Sequence, residues 1–349
     1  IVGDINLENT TSDDTGVIYK NANRFIHNFE AEGTTGNNLF MGIDAGNFTM
    51  TGTGALASYN TAFGYSTLSS VTSGYYNTAL GGNALSNLDS GAHNLAVGVN
   101  SLSVATDANF NVAVGNSTLS SNITGNNNSA FGYSALSSNT ANNNSAFGYR
   151  ALSANVSSAN NSAFGVNALE NSNGGQENTA FGALSMQKVT NGDSNTAIGA
   201  TTLFNLTTGS DNTAIGYQSL VNTTGSNNIA LGYRSGDNIT TGSNNIIIGY
   251  DIDAPAVDSS QTLNIGNLIF ATGLDGTGTT ISSGNIGIGT TSPGANLEIY
   301  DGSVDANADM FVIGSNLHSD IFKVDEDGDT IIGNLTDKTG SLVVYGDTS

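Results

Sequence analysis

A nine-residue stretch, NSAFGYSAL at 128–136, returns as NSAFGYRAL at 144–152, and it is one instance of a period that runs through most of the chain. Its glycine recurs at Gly64, Gly81, Gly98, Gly115, Gly132, Gly148, Gly165, Gly182, Gly199, Gly216, Gly232 and Gly249, always 17 or 16 residues on, and Gly42 opens the series 22 residues before Gly64. Four residues ahead of each glycine stands an asparagine: Asn38, Asn60, Asn77, Asn94, Asn111, Asn128, Asn144, Asn161, Asn178, Asn195, Asn212, Asn228 and Asn245. Four residues after it come Leu68, Leu85, Leu102, Leu119, Leu136, Leu152, Leu169, Met186, Leu203 and Leu220, until Gly236 and Asp253 break the apolar column. A fixed period of this length marks a repeat architecture, in which each column records what stacks on what.

The residues before each glycine alternate at strand period. In NTAIG, 195–199, Thr and Ile point one way, Ala and Gly the other. The column Phe131, Phe147, Ile198, Ile215 and Leu231 is expected to be a continuous apolar spine that tolerates no charge, and the Ala/Gly face to allow close approach of another chain or sheet. A second short segment, YSAL or YQSL, supplies the leucines, and turns such as SSNITGNN close each unit with residues that accept left-handed backbone. Gly and Asn interrupt every candidate helix. One such coil cannot bury its own apolar side, so neighbours must stack. The fold predicted is all-β: a parallel β-solenoid or β-roll of 16–17-residue repeats, roughly 60 Å long at about 4.8 Å per layer, with a small C-terminal β domain. Asn60 to Asn245 then form a structural column, an amide ladder up the stack rather than a row for ice or sugar.

Four regions follow: an N-terminal strand arm at 1–36, holding Lys20, Arg24 and His27; solenoid repeats at 37–250; a Gly-rich connector at 251–293 containing Pro255; and a small antiparallel β domain at 294–349. The long interval from Gly42 to Gly64, with NFTMTGTGALAS, reads as a protruding loop. Ile1 in place of Met fits a mature chain that has lost a signal peptide.

Seven Lys plus Arg against 29 Asp plus Glu, a net charge of −22, argue against nucleic acid, whose phosphates need clustered cations, and against anionic lipid. No apolar run reaches membrane-spanning length. Without cysteine there is neither a disulfide nor a thiolate metal site.

The N-S/T-x-A-I-G core resembles the head repeats of trimeric autotransporter adhesins over about residues 37–250. That resemblance implies a left-handed β-roll, trimerisation and adhesion. The units here are longer than typical head repeats. NIGIGTTSPGANLEI, 285–299, resembles a segment of phage tail fibres and bacterial surface proteins, which implies fibre assembly.

Chemistry is sparse. GIGTTS at 287–292 lacks the third glycine and the helix of a dinucleotide site, and His27, His93 and His318 have no ligand-spaced partners. No nucleophile and base pair up, so no enzyme activity is expected. The cofactor expectation is calcium or none: Asp325, Asp327 and Asp329, with Glu326, surround Gly328, and Asp251, Asp253 and Asp258 lie where the repeat stops. Asn-x-Ser/Thr triplets at Asn9, Asn47, Asn116, Asn122, Asn205 and Asn222 leave glycosylation open.

The function expected is a structural subunit of an extracellular bacterial surface fibre or filament, adhesive in character, assembling with itself as a homotrimer or head-to-tail polymer through its terminal β segments. A host or surface glycan is the expected receptor. A phage tail-fibre shaft is the alternative reading; a carbohydrate-active solenoid enzyme is the third, and would need a carboxylate-lined groove.

Overall fold

The computed structural model describes residues 16–300 and the backbone of three further strands at 311–313, 322–324 and 330–332. Every regular element among the described residues is β, and the chain forms two compact units, Ile1–Ser259 and Ser260–Ser349.

The first unit is the solenoid. Strands β1 (Ile18–Lys20) and β2 (Asn23–His27) form an antiparallel hairpin, and β2 pairs antiparallel with β3 (Leu39–Met41), His27 opposite Phe40. One three-residue strand per coil follows, from β4 (Thr61–Phe63) through β8 (Ser129–Phe131) and β9 (Ser145–Phe147) to β15 (Ile246–Ile248). Each pairs parallel and in register with the next, so that Ala130 lies on Ala146 and Phe131 on Phe147. Sequence equivalence has become spatial equivalence.

The described part of the N-terminal arm folds back over the first coil of its own chain. A solenoid end exposes unpaired strand edge, and β2 covers it. Residues 1–15 lie outside the described residues. The interval after Gly42 is also incorporated rather than protruding. Ala45, Met50 and Ala57 are buried, and the N–H groups of Gly46, Thr51 and Ala57 donate to the carbonyls of Thr67, Thr72 and Ser73 in the next coil. Its extra length reaches back to the arm, where Thr34 bridges Gly54.

The two strand faces are reversed from the expectation. The interior is the alanine column, from Ala62 and Ala79 through Ala130 and Ala146 to Ala214 and Ala230, packed with the fully buried leucines Leu68 to Leu220. The Phe/Ile column lies outside: Phe131 is 37% exposed, Phe181 58% and Leu231 46%. Volume explains the reversal. The coil is thin, and opposite each leucine there is room only for a methyl group. Where the leucine becomes Gly236, the interior strand position of the next coil becomes Ile247. Leu220 Cδ2 and Ile247 Cγ1 lie 3.0 and 3.6 Å from where a Gly236 Cβ would stand. Lost volume on one wall is restored from the other.

The leucine segment is a turn. All ten residues of its column have φ between 48 and 52°. Left-handed backbone is worst for β-branched side chains, which accounts for a column of Leu and Met with no Val or Ile. The period glycine has φ of 124–144°, and a Cβ on Gly132 would come within 2.4 Å of the Gly148 carbonyl oxygen. Only glycine fits there.

In the second unit, β16 (Leu263–Ile265) and β17 (Ile269–Ala271) form an antiparallel hairpin, and β18 (Ile286–Ile288) pairs antiparallel with β17. β19 (Leu297–Ile299) runs parallel to β18. The Gly-rich connector therefore contains a sheet. Strands β20 (Phe311–Ile313), β21 (Phe322–Val324) and β22 (Thr330–Ile332) make a separate antiparallel meander.

Candidate functional site

Residues alternate in and out along each strand, so every coil presents four outward positions: the residue before the column asparagine, the first and third strand residues, and the residue after the glycine. Stacked in register, these make four parallel columns. The third-residue column is apolar from Phe63 to Ile248, and the first-residue column is Thr, Ser, Leu, Val or Ile. Neither column carries a charge between 61 and 250, although the chain's net charge is −22.

Aromatic rings run in ladders on this face. Phe131, Phe147, Phe164 and Phe181 stack at successive centroid spacings of 4.7, 4.7 and 5.7 Å. At the leading corner, Tyr59, Tyr76, His93 and Phe110 stack at 4.8, 5.1 and 4.9 Å. At the trailing corner, Tyr217, Tyr233 and Tyr250 stack at 5.5 and 5.0 Å. A contiguous exposed apolar surface of this kind marks an interaction site.

The asparagine column faces inward. Asn128 donates its backbone N–H and its Nδ2 to Asn111 Oδ1 at 3.0 and 3.1 Å, and Nδ2 also donates to the Ala141 carbonyl at 2.9 Å. Its own Oδ1 accepts the Asn144 N–H at 3.0 Å. The amide is buried and its hydrogen bonds are made inside the protein, so the column holds the coils in register and offers nothing to a ligand.

A second buried polar column escaped the sequence reading. Seven residues after the glycine the coils carry Val71, Leu88 and Ala105, then Asn122, Asn139, Asn155 and Ser172, then Val189 and Leu206, with Thr223 and Ile239 closing the column. Asn139 Oδ1 accepts from Asn144 and Asn155, but Asn122 Oδ1 and Asn155 Oδ1 have no protein partner. The only available signal was a column apolar at both ends and polar in the middle.

Charges on the solenoid come in local sets. Arg150 Nη2 pairs with Glu170 Oε1 at 2.9 Å, and Gln187 Nε2 donates to Glu170 Oε2 at 2.6 Å. Arg234 pairs with Asp237 at 2.7 Å and with Asp251 at 3.3 Å. Burial, followed by the hydrogen bond and charge of Asp237, holds the Asp253 carboxyl above the ordinary carboxylate range.

Among the described residues, no group of three His, Asp or Glu side chains is placed to hold a metal ion, so Asp251, Asp253 and Asp258 do not form the calcium turn considered from sequence. Asp325, Asp327, Asp329 and His318 lie outside the described residues. His27 is buried between Phe40 and Phe48, with Nε2 donating to the Ala45 carbonyl at 2.8 Å and Nδ1 accepting the Phe29 N–H at 3.4 Å. Burial lowers its pKa below the ordinary 6.5. Asn122 is buried, which removes it from the glycosylation candidates. No helix among the described residues is long and apolar enough to cross a membrane.

The class these features define is a parallel β-solenoid repeat protein with an outer face whose two central columns are uncharged and which is rich in aromatic residues. No protein family model matches the chain, and neither does any curated protein or solved structure.

Proposed function

We propose that the protein is a structural subunit of an extracellular surface fibre, and that copies of the solenoid associate side by side, as a trimer, through the face carrying the column Phe63 to Ile248. The supporting observation is that column's placement at the surface, exposed or half-buried in every coil and fully buried in none. A monomer would leave the whole strip in water at about 25 cal/mol per Å² of apolar area. Another copy of the chain is the occupant that fits best. It presents the same ranks at the same spacing, and neither central column carries charge to oppose the approach of a second acidic chain. The resemblance to trimeric adhesin heads supports the same arrangement. Its role is mechanical: hydrogen-bonded coils make a stiff rod, and lateral association hides the one face that is not suited to water.

End-to-end joining of rods would fall to residues 1–15 and the C-terminal strands, since β2 already occupies the edge of the first coil. A phage tail-fibre shaft would use the same face, and the segment 285–299 is what favours that alternative.

The chain has no cysteine, which makes the test direct. Phe181→Cys should oxidise to a species of twice the 35.4 kDa chain mass, while Ser121→Cys, on an exposed turn outside the face, should stay monomeric on denaturing gels. Equal crosslinking of both variants, or of neither, would reject the face as the meeting surface.

A further inference from the structure

We propose that the groove between the coils of Tyr133 and Tyr149 binds a neutral hexopyranose, as a free sugar or as one residue of a glycan. This goes beyond association of the rods and lies at the trailing corner of the coil, beside the Phe63 to Ile248 column. The groove has a volume of about 420 Å³ and is lined by Tyr133, Tyr149, Arg150 and the serines 134, 137 and 138. That volume lies within the range of roughly 300–1,000 Å³ typical of small-ligand sites. Its lining is not typical, because hydroxyl groups replace the usual apolar wall. A polyol matches such a wall where an apolar ligand does not.

Three features make this more than a gap between turns. First, it adjoins the place where two columns change in successive coils. The position five residues after the glycine is serine from Ser69 to Ser153 and then becomes Glu170 and Gln187, while the position two after the glycine becomes Arg150. Second, the arginine is held in place. Glu170 is nearly buried, one of its oxygens takes Arg150 Nη2 and the other takes Gln187, so the guanidinium of a residue that lines the groove is anchored from the next coil. Such preorganisation lowers the cost of binding. Third, the two tyrosines that line it stack at 5.6 Å and 12°, both about half exposed, so the aromatic part of the lining is itself ordered.

The charge balance selects the class of sugar. Arg150 is neutralised by Glu170, and the chain as a whole is strongly acidic, so a carboxylated or sulfated saccharide meets repulsion without a free cation to offset it. A neutral pyranose needs only donors and acceptors.

The repeat itself supplies variants that preserve the fold. Leu184 occupies the column of Ser134, with φ of 58° against 54°, so Ser134→Leu fills the groove with a residue this position already accepts. Ala183 and Ala200 occupy the column of Tyr149, so Tyr149→Ala is equally precedented, and Tyr217→Ala makes the same change in a distant coil. The full chain would be titrated with methyl glycosides of glucose, galactose, mannose and N-acetylglucosamine, and with sialic acid, by saturation-transfer NMR. At least one neutral glycoside should bind, weakened about tenfold or more by Ser134→Leu and by Tyr149→Ala and changed less than about twofold by Tyr217→Ala. Thermal melts of the three variants should match the parent, which separates loss of the groove from loss of the fold. Absence of binding by every neutral glycoside, binding that survives both groove variants, or binding of sialic acid alone would each overturn the assignment.

Discussion

Asn128 is tied to Asn111 twice through one oxygen, its backbone N–H at 3.0 Å and its side-chain Nδ2 at 3.1 Å both ending on Asn111 Oδ1. The same amide closes its own turn on the Ala141 carbonyl and receives the next coil through Asn144. One side chain therefore fixes the register of three successive coils. Asn128→Ala strands the buried Asn144 N–H and leaves the Ala141 carbonyl with Asn139 Nδ2 alone, and about 2 kcal/mol of stability should be lost. Asn128→Asp should cost at least as much, since it removes the donor and buries a charge. Chemical denaturation of the two variants checks this; a loss below about 1 kcal/mol in both would mean that the ladder does not hold the coils.

Leu136 is buried at φ 51°, a backbone conformation that penalises branching at Cβ. Leu136→Met, the residue the column itself uses at Met186, should cost under about 1 kcal/mol. Leu136→Ile has the same volume yet should cost about 2 kcal/mol or more, because left-handed strain is added to repacking. Equal melting temperatures for the two variants would contradict the left-handed leucine turn.

Asn122 should be improvable. Its Oδ1 is buried without a protein partner, and the Gly125 carbonyl that receives its Nδ2 at 2.9 Å also receives Asn111 Nδ2 at 2.9 Å. Leu88 and Leu206 show that the column accepts leucine. Asn122→Leu should raise stability by about 1 kcal/mol, as an orphaned polar atom is exchanged for buried hydrocarbon. A fall in melting temperature would show that this amide has work elsewhere.

The N-terminal cap should respond to pH through His27. Its geometry demands the neutral ring, because Nδ1 accepts an N–H and a proton there would oppose it. Burial depresses the folded-state pKa below 6.5, so the unfolded state binds the extra proton first. The stability His27 contributes is complete above 6.5 and is lost as pH falls below it toward the depressed folded value. Protection factors at β1 and β2, with the intrinsic pH dependence of exchange divided out, should fall between about pH 7 and 5.5, before most carboxylates titrate, and His27→Gln should flatten that dependence. An unchanged profile in the variant would remove His27 as the cause.

Much of this structure was legible in the chain, and what was misread has a physical explanation. Period, parallel register and the inward asparagines follow from columns that never vary. Alternation shows that a strand has two faces, but not which one is inside. The deciding clue was constancy: Ala62 to Ala230 hardly changes, while the Phe63 to Ile248 column varies in volume, and a coil of fixed girth tolerates variation only on its outer wall. The left-handed leucine turn left a fainter trace, the lack of Val and Ile in that column. The polar column at Asn122, Asn139 and Asn155 was hidden because the surrounding turns are themselves rich in asparagine. The Arg150 groove depends on residues two coils apart, which no single repeat displays.

The central claim is that the alanine side is the interior and the Phe/Ile side joins copies of the chain. Native mass measurement of the parent and of Phe131→Asp with Phe147→Asp tests it most directly. The parent should measure three times 35.4 kDa, and the double variant should fall to one chain mass while retaining the β circular dichroism of a folded solenoid. A parent that is monomeric at micromolar concentration, or a double variant that unfolds because those side chains belong to the interior, would contradict the account.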